Sequence, residues 1–181
     1  IVIDKGNKIK IKNITFHGNT ALTDKKLKKT MKKTKEKGIT RIFSPSKFVS
    51  DLYDTDLDNV VSLFQEKGFR DALIVKDSIS WNKDNTINLD IFLTQGERYK
   101  FGDINFLGNT VFTDQQLRSI LRIDKGVTYN GKALNERVYG DGTPESQDIT
   151  NTYLDNGYLF SRVNAVETSA ANNIDRKSVV Y

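Results

Sequence analysis

A lone histidine, three aspartates at alternate positions and a dense run of lysines are the residues of this 181-residue chain whose types invite a chemical reading. Catalysis and metal binding need convergent groups. His17 is the only histidine and ends a short apolar run, so it supplies neither a triad nor a cluster and reads as a surface residue. The chain has no cysteine, which removes thiolate nucleophiles, disulfides and cysteine-ligated zinc. Asp54-Thr-Asp-Leu-Asp58 opens like a calcium loop. Asn59 stands where such a loop needs glycine, however, and Gln65 where it needs a bidentate glutamate. The aspartates read instead as acidic residues at a helix N-terminus, complementing its dipole. Gly126, Gly131, Gly140 and Gly142 have the spacing of neither a phosphate-cradling loop nor a dinucleotide fingerprint, and read as a long surface loop. The expectation is a protein that is not an enzyme and carries no cofactor and no metal.

The lysines are a different matter. Residues 1–47 hold fourteen Lys and Arg against three Asp and Glu, whereas residues 48–97 hold four against ten and the remainder is balanced. The basic block centres on Lys25, Lys26, Lys28, Lys29, Lys32 and Lys33, read as one face of a basic helix running to Lys37. Charge alone would suit nucleic acid, anionic lipid or an acidic partner.

The elements that must carry these residues emerge from self-comparison. Residues 14–27 (ITFHGNTALTDKKL) align with residues 104–117 (INFLGNTVFTDQQL), with eight of fourteen positions identical. Lys67-Gly68-Phe69 matches Asn156-Gly157-Tyr158 at nearly the same offset. The chain is therefore a tandem repeat. Ile1-Val2-Ile3 resembles Ile91-Phe92-Leu93, so residues 1–5 read as the end of a preceding repeat, 6–97 as one repeat and 98–181 as the next, truncated at its C-terminus. Both ends read as cut.

Within each repeat, Ile14 and Phe16 (Ile104 and Phe106) alternate with polar residues as a strand entering a Gly-Asn turn. Thr23 and Thr113 occupy N-cap positions, each followed by a helix and preceded by an apolar residue that staples it. A second helix carries Leu57, Val60, Val61 and Phe64 and stops at Gly68; its copy begins at Thr143-Pro144, carries Ile149, Tyr153 and Leu154, and stops at Gly157. β-rich runs follow over residues 69–79 and 158–166. In the first repeat a loop, residues 82–85, leads to a strand with Ile87, Leu89, Ile91 and Leu93 on one face.

The fold class is α+β: two tandem βααββ repeats, each a three-stranded mixed sheet with both helices on one face. A hairpin of strands two and three plus a helical crossover from strand one places strand three centrally. Strand two is then an exposed edge. It offers Asp71, Leu73, Ile74, Val75, Asp77 and Ile79 in the first repeat and Leu159, Phe160, Val163 and Val166 in the second, with Leu73, Val75 and Ile79 on one face. Two long inserts between helices, residues 38–54 and 125–143, should hold the most accessible backbone. The same element order also occurs in one type of KH domain, which makes a tandem nucleic-acid-binding module the alternative. Neither repeat has the Gly-x-x-Gly loop between helices that clamps a nucleic-acid backbone, so nucleic acid is not the expected partner.

The Gly-Asn-Thr turn, the Thr-Asp helix start, Gly-Phe-Arg-Asp-Ala (68–72) and Asp-Asn-Gly-Tyr-Leu-Phe (155–160), occurring in order and in duplicate, resemble POTRA domains, most of all those of BamA-type outer-membrane assembly factors. The resemblance covers nearly the whole chain. It implies a periplasmic scaffold and client-binding array anchored by its own C-terminal transmembrane β-barrel, absent from this sequence. Its implied partners are unfolded outer-membrane proteins, taken up by edge-strand addition, and accessory assembly lipoproteins. The membrane surface is a further candidate partner for the lysines.

Overall fold

The structure, a computed structural model, describes residues 9–38, 48–143, 145–169 and 175–180, with Ser169 and residues 175–180 described by backbone alone. The strand expected for residues 1–5 lies outside the described residues. In chain order the elements are β1 (Lys10–His17), α1 (Asp24–Thr30), α2 (Ser50–Glu66), β2 (Leu73–Trp81) and β3 (Thr86–Thr94). There follow β4 (Lys100–Phe106), α3 (Asp114–Leu121), α4 (Gly131–Tyr139), α5 (Ile149–Asp155), β5 (Ala165–Ser169) and β6 (Asp175–Val180).

Each repeat forms a three-stranded mixed sheet, ordered β1-β3-β2 in the first and β4-β6-β5 in the second. The first strand of each repeat runs parallel to the last, and the hairpin partners are antiparallel. The last strand is thus central in both, as the connectivity predicts. In the first repeat it is also the most apolar strand: Ile87, Leu89, Ile91 and Leu93 are buried together with Ile14 and Phe16 of β1, Leu27 of α1, and Tyr53, Val60 and Phe64 of α2. Burying each such side chain contributes about 1.5–3 kcal/mol, so the helices must lie on this one face of the sheet. The second repeat buries Phe101, Ile104 and Phe106 of β4 against Leu117, Leu121, Leu134, Val138 and Ile149 of its helices.

The repeated Gly-Asn turn has a structural cause. Gly18 has φ +91°, and a Cβ there would meet the Leu93 carbonyl, so only glycine lets β1 turn beside β3. The asparagine then fixes the helix start: Asn19 Nδ2 donates to Leu22 O (3.0 Å) and Asp24 Oδ1 (2.7 Å), and Asn109 repeats this with Phe112 O (3.0 Å) and Asp114 Oδ1 (2.8 Å). Thr113 completes a capping box with Gln116, whereas the Thr23 side chain makes no cap hydrogen bond.

Several expectations are corrected. The basic helix ends at Thr30, so Lys32 and Lys33 lie in the turn beyond it and not on its face. α2 starts at Ser50, well before Asp54, and Asp56 is therefore interior to the helix and wholly buried. Its carboxylate accepts the backbone N–H groups of Lys32 (2.8 Å), Lys33 (2.8 Å) and Thr34. It ties the end of α1 to the middle of α2 and does not complement a helix dipole.

In the second repeat the expected surface loop contains α4, opened by a buried Gly131 and capped by Asn130, whose side chain accepts from Ala133 N (3.0 Å). The next helix is capped by Asp148, which accepts from Asn151 N (2.9 Å), and not by Thr143-Pro144; Thr143 instead turns back to Asp141 (2.6 Å). Residues 158–164 are not strand, because Tyr158 N bonds Tyr153 O (3.0 Å) and Ser161 N bonds Tyr158 O (3.1 Å), holding a turn. Leu159 and Phe160 sit in this turn, Val163 in the irregular segment after it, and Val166 alone of the four on β5.

Two predictions follow from these findings. Replacing Asp56 by alanine strands three backbone donors and should cost about 2–4 kcal/mol of stability, with Asp56→Asn intermediate; denaturant unfolding checks this, and a loss below the scatter of surface substitutions would contradict it. Limited proteolysis of the second repeat should begin at Glu145, in the exposed stretch between α4 and α5, and not at Lys132 or Arg137 within α4.

Candidate edge-strand and basic surfaces

Each three-stranded sheet has two outer strands, whose unpaired backbone groups invite another strand. In the first repeat β1 is closed by the segment after α1: Lys37 N donates to Ile11 O (2.7 Å), Phe48 N to Ile9 O (3.0 Å), and Ile14 N to Glu36 Oε1 (2.7 Å). In the second repeat β4 is closed in the same way. Phe101 N donates to Val127 O (2.8 Å), Gly126 N to Phe101 O (2.7 Å) and Tyr129 N to Tyr99 O (3.0 Å), with Lys100 bridged to Thr128. The inserts between helices thus cover the first-strand edges.

β2 is different. This nine-residue strand pairs with β3 alone, and among the described residues nothing is hydrogen-bonded to its outer side. The equivalent β5 has five residues, its Ala165 N donates to Tyr139 Oη (2.8 Å), and its Glu167 accepts from Tyr129 Oη (3.0 Å). Among the described residues β2 is therefore the longer open edge.

The faces of β2 differ from the simple alternation expected. A bulge between Ile74 and Lys76 shifts the register, so Leu73 pairs with Thr94 while Asp77, Ile79 and Trp81 pair with the buried Ile91, Leu89 and Ile87. Leu73 and Ile79 consequently lie on opposite faces, and Asp71 precedes the strand. Leu73, Val75, Ile79 and Trp81 are nonetheless all exposed, Trp81 at 64%. Trp81 lies two residues beyond the expected strand end at Ile79, and an aromatic residue in period-two phase with Ile79 is the sequence signal for it.

On the helix-covered face, Tyr53 of α2 meets Asp77 of β2. The Tyr53 hydroxyl is buried without a hydrogen bond, and burial first, then the Asp77 carboxylate, push its pKa well above the usual tyrosine range. The opposite face carries a surface stack: Lys76 Nζ lies 4.7 Å from the Phe92 ring, which stacks on His17 at 4.4 Å, and His17 Nε2 lies 3.0 Å from Asp90 Oδ1. The sole histidine is thus engaged in packing on the sheet. Among the described residues no group of His, Asp and Glu is placed to hold a metal ion.

The lysines divide into two sets. Lys25, Lys28 and Lys29 of α1 line an open cavity of about 600 Å³ with Lys35, Lys37 and the edge of Ile14. Lys28 is paired with Glu36 at 2.8 Å, and Lys35 Nζ donates to Lys28 O (3.0 Å). Lys26 lies on α1 outside the cavity, and Lys32 and Lys33 are held by their backbones at Asp56. Among the described residues no helix is long and apolar enough to cross a membrane.

Comparison with known proteins agrees with this architecture. The chain is 26% identical over 170 residues to a putative outer membrane protein assembly factor of Treponema pallidum, covering 91% of this chain and 19% of that protein. It is 28% identical over 166 residues to the outer membrane protein assembly factor BamA of Neisseria meningitidis serogroup B, covering 90% and 20%. The chain spans about a fifth of the length of these relatives. Among solved structures, the crystal structure of Haemophilus influenzae BamA POTRA3-5 superposes with a TM-score of 0.64 at 20% identity, covering 100% of this chain and 69% of that one. BamA from Haemophilus ducreyi lacking POTRA domains 1-3 gives 0.66 at 16%, covering 96% and 29%. At these identities the likeness is one of fold. The family model of POTRA, described as surface antigen variable number repeat, matches residues 9–96 and again 99–181, and the chain belongs to the POTRA family as two tandem repeats.

Proposed function

We propose that these repeats are part of the periplasmic, non-catalytic scaffold of an outer-membrane β-barrel assembly factor, and that an extended client segment adds to the outer edge of β2. The observation that carries the reading is the contrast between edges. β1 and β4 are closed by inserts of the chain itself, while β2 keeps its outer N–H and C=O groups unpaired among the described residues. Backbone pairing of this kind is indifferent to most client side chains, which suits a factor that handles many unfolded outer-membrane proteins. Ile79 and Trp81 flank the edge on the helix side and Leu73 on the other, so apolar client residues of either phase find contact. Membership of the POTRA family and the names of the curated relatives support the setting. The docking of accessory lipoproteins belongs to the same reading, as does a tether to the protein's own C-terminal β-barrel. The KH-like alternative has only the element order and the basic block in its favour, without the Gly-x-x-Gly loop.

The lysine-lined cavity beside α1 adds a second contact, with the anionic surface of a membrane. Its cationic rim suits a phosphate-bearing headgroup, and each lysine near such a surface adds up to about 1 kcal/mol, declining with salt.

Titration with a peptide of the C-terminal strand of an outer-membrane protein should shift the amides of residues 73–81 first, with a Kd of about 1 mM. Shifts confined to α1 and α2 would refute edge-strand addition. Co-sedimentation with anionic liposomes should fall when Lys25, Lys29, Lys35 and Lys37 are reversed to glutamate, and should weaken with added salt. Binding that ignores these changes removes the membrane contact.

A further inference from the structure

The helix-ending turn Lys67-Gly68-Phe69 recurs as Asn156-Gly157-Tyr158, and the two copies share a conformation but not a covering. The chain gathers into two compact bodies, the second of which takes in Gln65–Arg70 together with the polypeptide from Gly96 onward. Within that body the first copy of the turn is enclosed. Gly68 has φ +96° and is buried; a Cβ there would lie 2.8 Å from Thr128 Cγ2 and 3.3 Å from Tyr99 O. Tyr99 N donates to Gly68 O (2.8 Å), Arg98 Nε to Lys67 O (3.1 Å), and Arg70 Nε lies 2.9 Å from Glu167 Oε2. The polypeptide that follows the first repeat therefore supplies the lid over that repeat's turn.

The second copy has the same backbone, and among the described residues nothing covers it. Gly157 has φ +88°, and a Cβ there would meet nothing within 4 Å. Where the first copy carries Gln65, Arg70 and Asp71, the second carries Leu154, Leu159 and Phe160. All three are exposed, Leu159 at 68% and Phe160 at 96%, and Tyr158 beside them is exposed as well. An aromatic and two aliphatic side chains held out on an ordered turn, contiguous and bare, mark a surface that something apolar covers. The turn itself is fixed by Tyr158 N to Tyr153 O (3.0 Å) and Ser161 N to Tyr158 O (3.1 Å), so the residues are presented and not merely loose.

We propose that the turn from Leu154 to Phe160 is the docking surface for the domain that follows residue 181 in the longer protein. The occupant is argued from two observations: the first copy of the turn is covered by the polypeptide next in sequence, and the relatives of this chain are about five times its length. By analogy with Tyr99, the incoming domain presents a backbone N–H at the entry to its first strand to Gly157 O. It differs from the first junction in needing an apolar pocket for Leu159 and Phe160 in place of the carboxylate that receives Arg70. The inference rests on family membership and not on client binding at β2.

The test uses the full-length protein with the photo-cross-linking residue p-benzoylphenylalanine at position 160. The expected product is an intramolecular cross-link, at monomer mass, to a peptide C-terminal to residue 181. A cross-link to a second copy, to a separate polypeptide or to lipid overturns the proposal, and so does the absence of any cross-link. Hydrogen exchange supplies an independent reading without substitution. Amides of Tyr158–Ser161 should exchange about tenfold or more slowly in the full-length protein than in the 181-residue chain. Equal rates overturn it. Neither readout involves a client peptide, so its failure leaves edge-strand addition at β2 untouched.

Discussion

The parallel ladder between β1 and β3, which pairs Lys10 with Thr86 and Phe16 with Ile91, is the constraint on which the rest of each repeat depends. Parallel neighbours cannot be joined by a tight turn, so the intervening chain must cross over one face of the sheet, and both helices travel with it. Closing a loop of this length carries an entropic cost that is recovered only when the apolar faces of α1, α2 and β3 meet. The central strand is consequently the most apolar, and the helices share one side. The crossover also explains the asymmetry of the edges. The segment between helices leaves from beside β1 or β4 and pairs with it, while the hairpin strand β2, on the far side of the central strand, has no crossover of its own to cover it.

Asp56 shows how such a crossover is held in place. α1 is only seven residues long, too short to be stable alone, and its end is secured by one buried carboxylate receiving three successive backbone donors from Lys32, Lys33 and Thr34. The second repeat solves the same problem without that aspartate. It follows α3 with two shorter helices, α4 and α5, with Asn130 and Asp148 capping each start. The two repeats are thus alike in sheet and differ in how their helical layer is assembled.

Which parts of this were legible in the residues follows from what kind of interaction specifies them. The Gly-Asn turn, the helix starts at Thr23 and Thr113, and the alternation of Ile87, Leu89, Ile91 and Leu93 are local signals whose cause lies within a few residues. The central position of the last strand followed from connectivity. What stayed hidden depends on distant partners or on weak competition between local signals. Asp56 reads as an acidic residue at a helix N-terminus because its three donors are more than twenty residues away. α4 was hidden among glycines, although Leu134 and Val138 stand at helical spacing behind Asn130. The proline after Thr143 outweighed Asp148 as a helix start. The apolar run after Gly157 read as strand because an exposed Phe160 is hard to expect in a turn. Of the edge residues, Leu73 to Ile79 lie on β2 as expected, but the bulge that divides them leaves no mark in composition.

That bulge gives β2 a fixed footprint. From Lys76 to Trp81 the register with β3 is unbroken, and at Val75 it slips by one residue. A strand laid against this edge in phase with the six residues from Lys76 to Trp81 loses phase beyond them, so its ladder spans about 20 Å and no more. Lengthening the incoming polypeptide adds no further pairs. Under the proposed edge-strand addition, a short segment and a whole unfolded chain would meet the same edge with the same strength per encounter, and a long chain would leave and rebind one segment at a time without its total length slowing its departure.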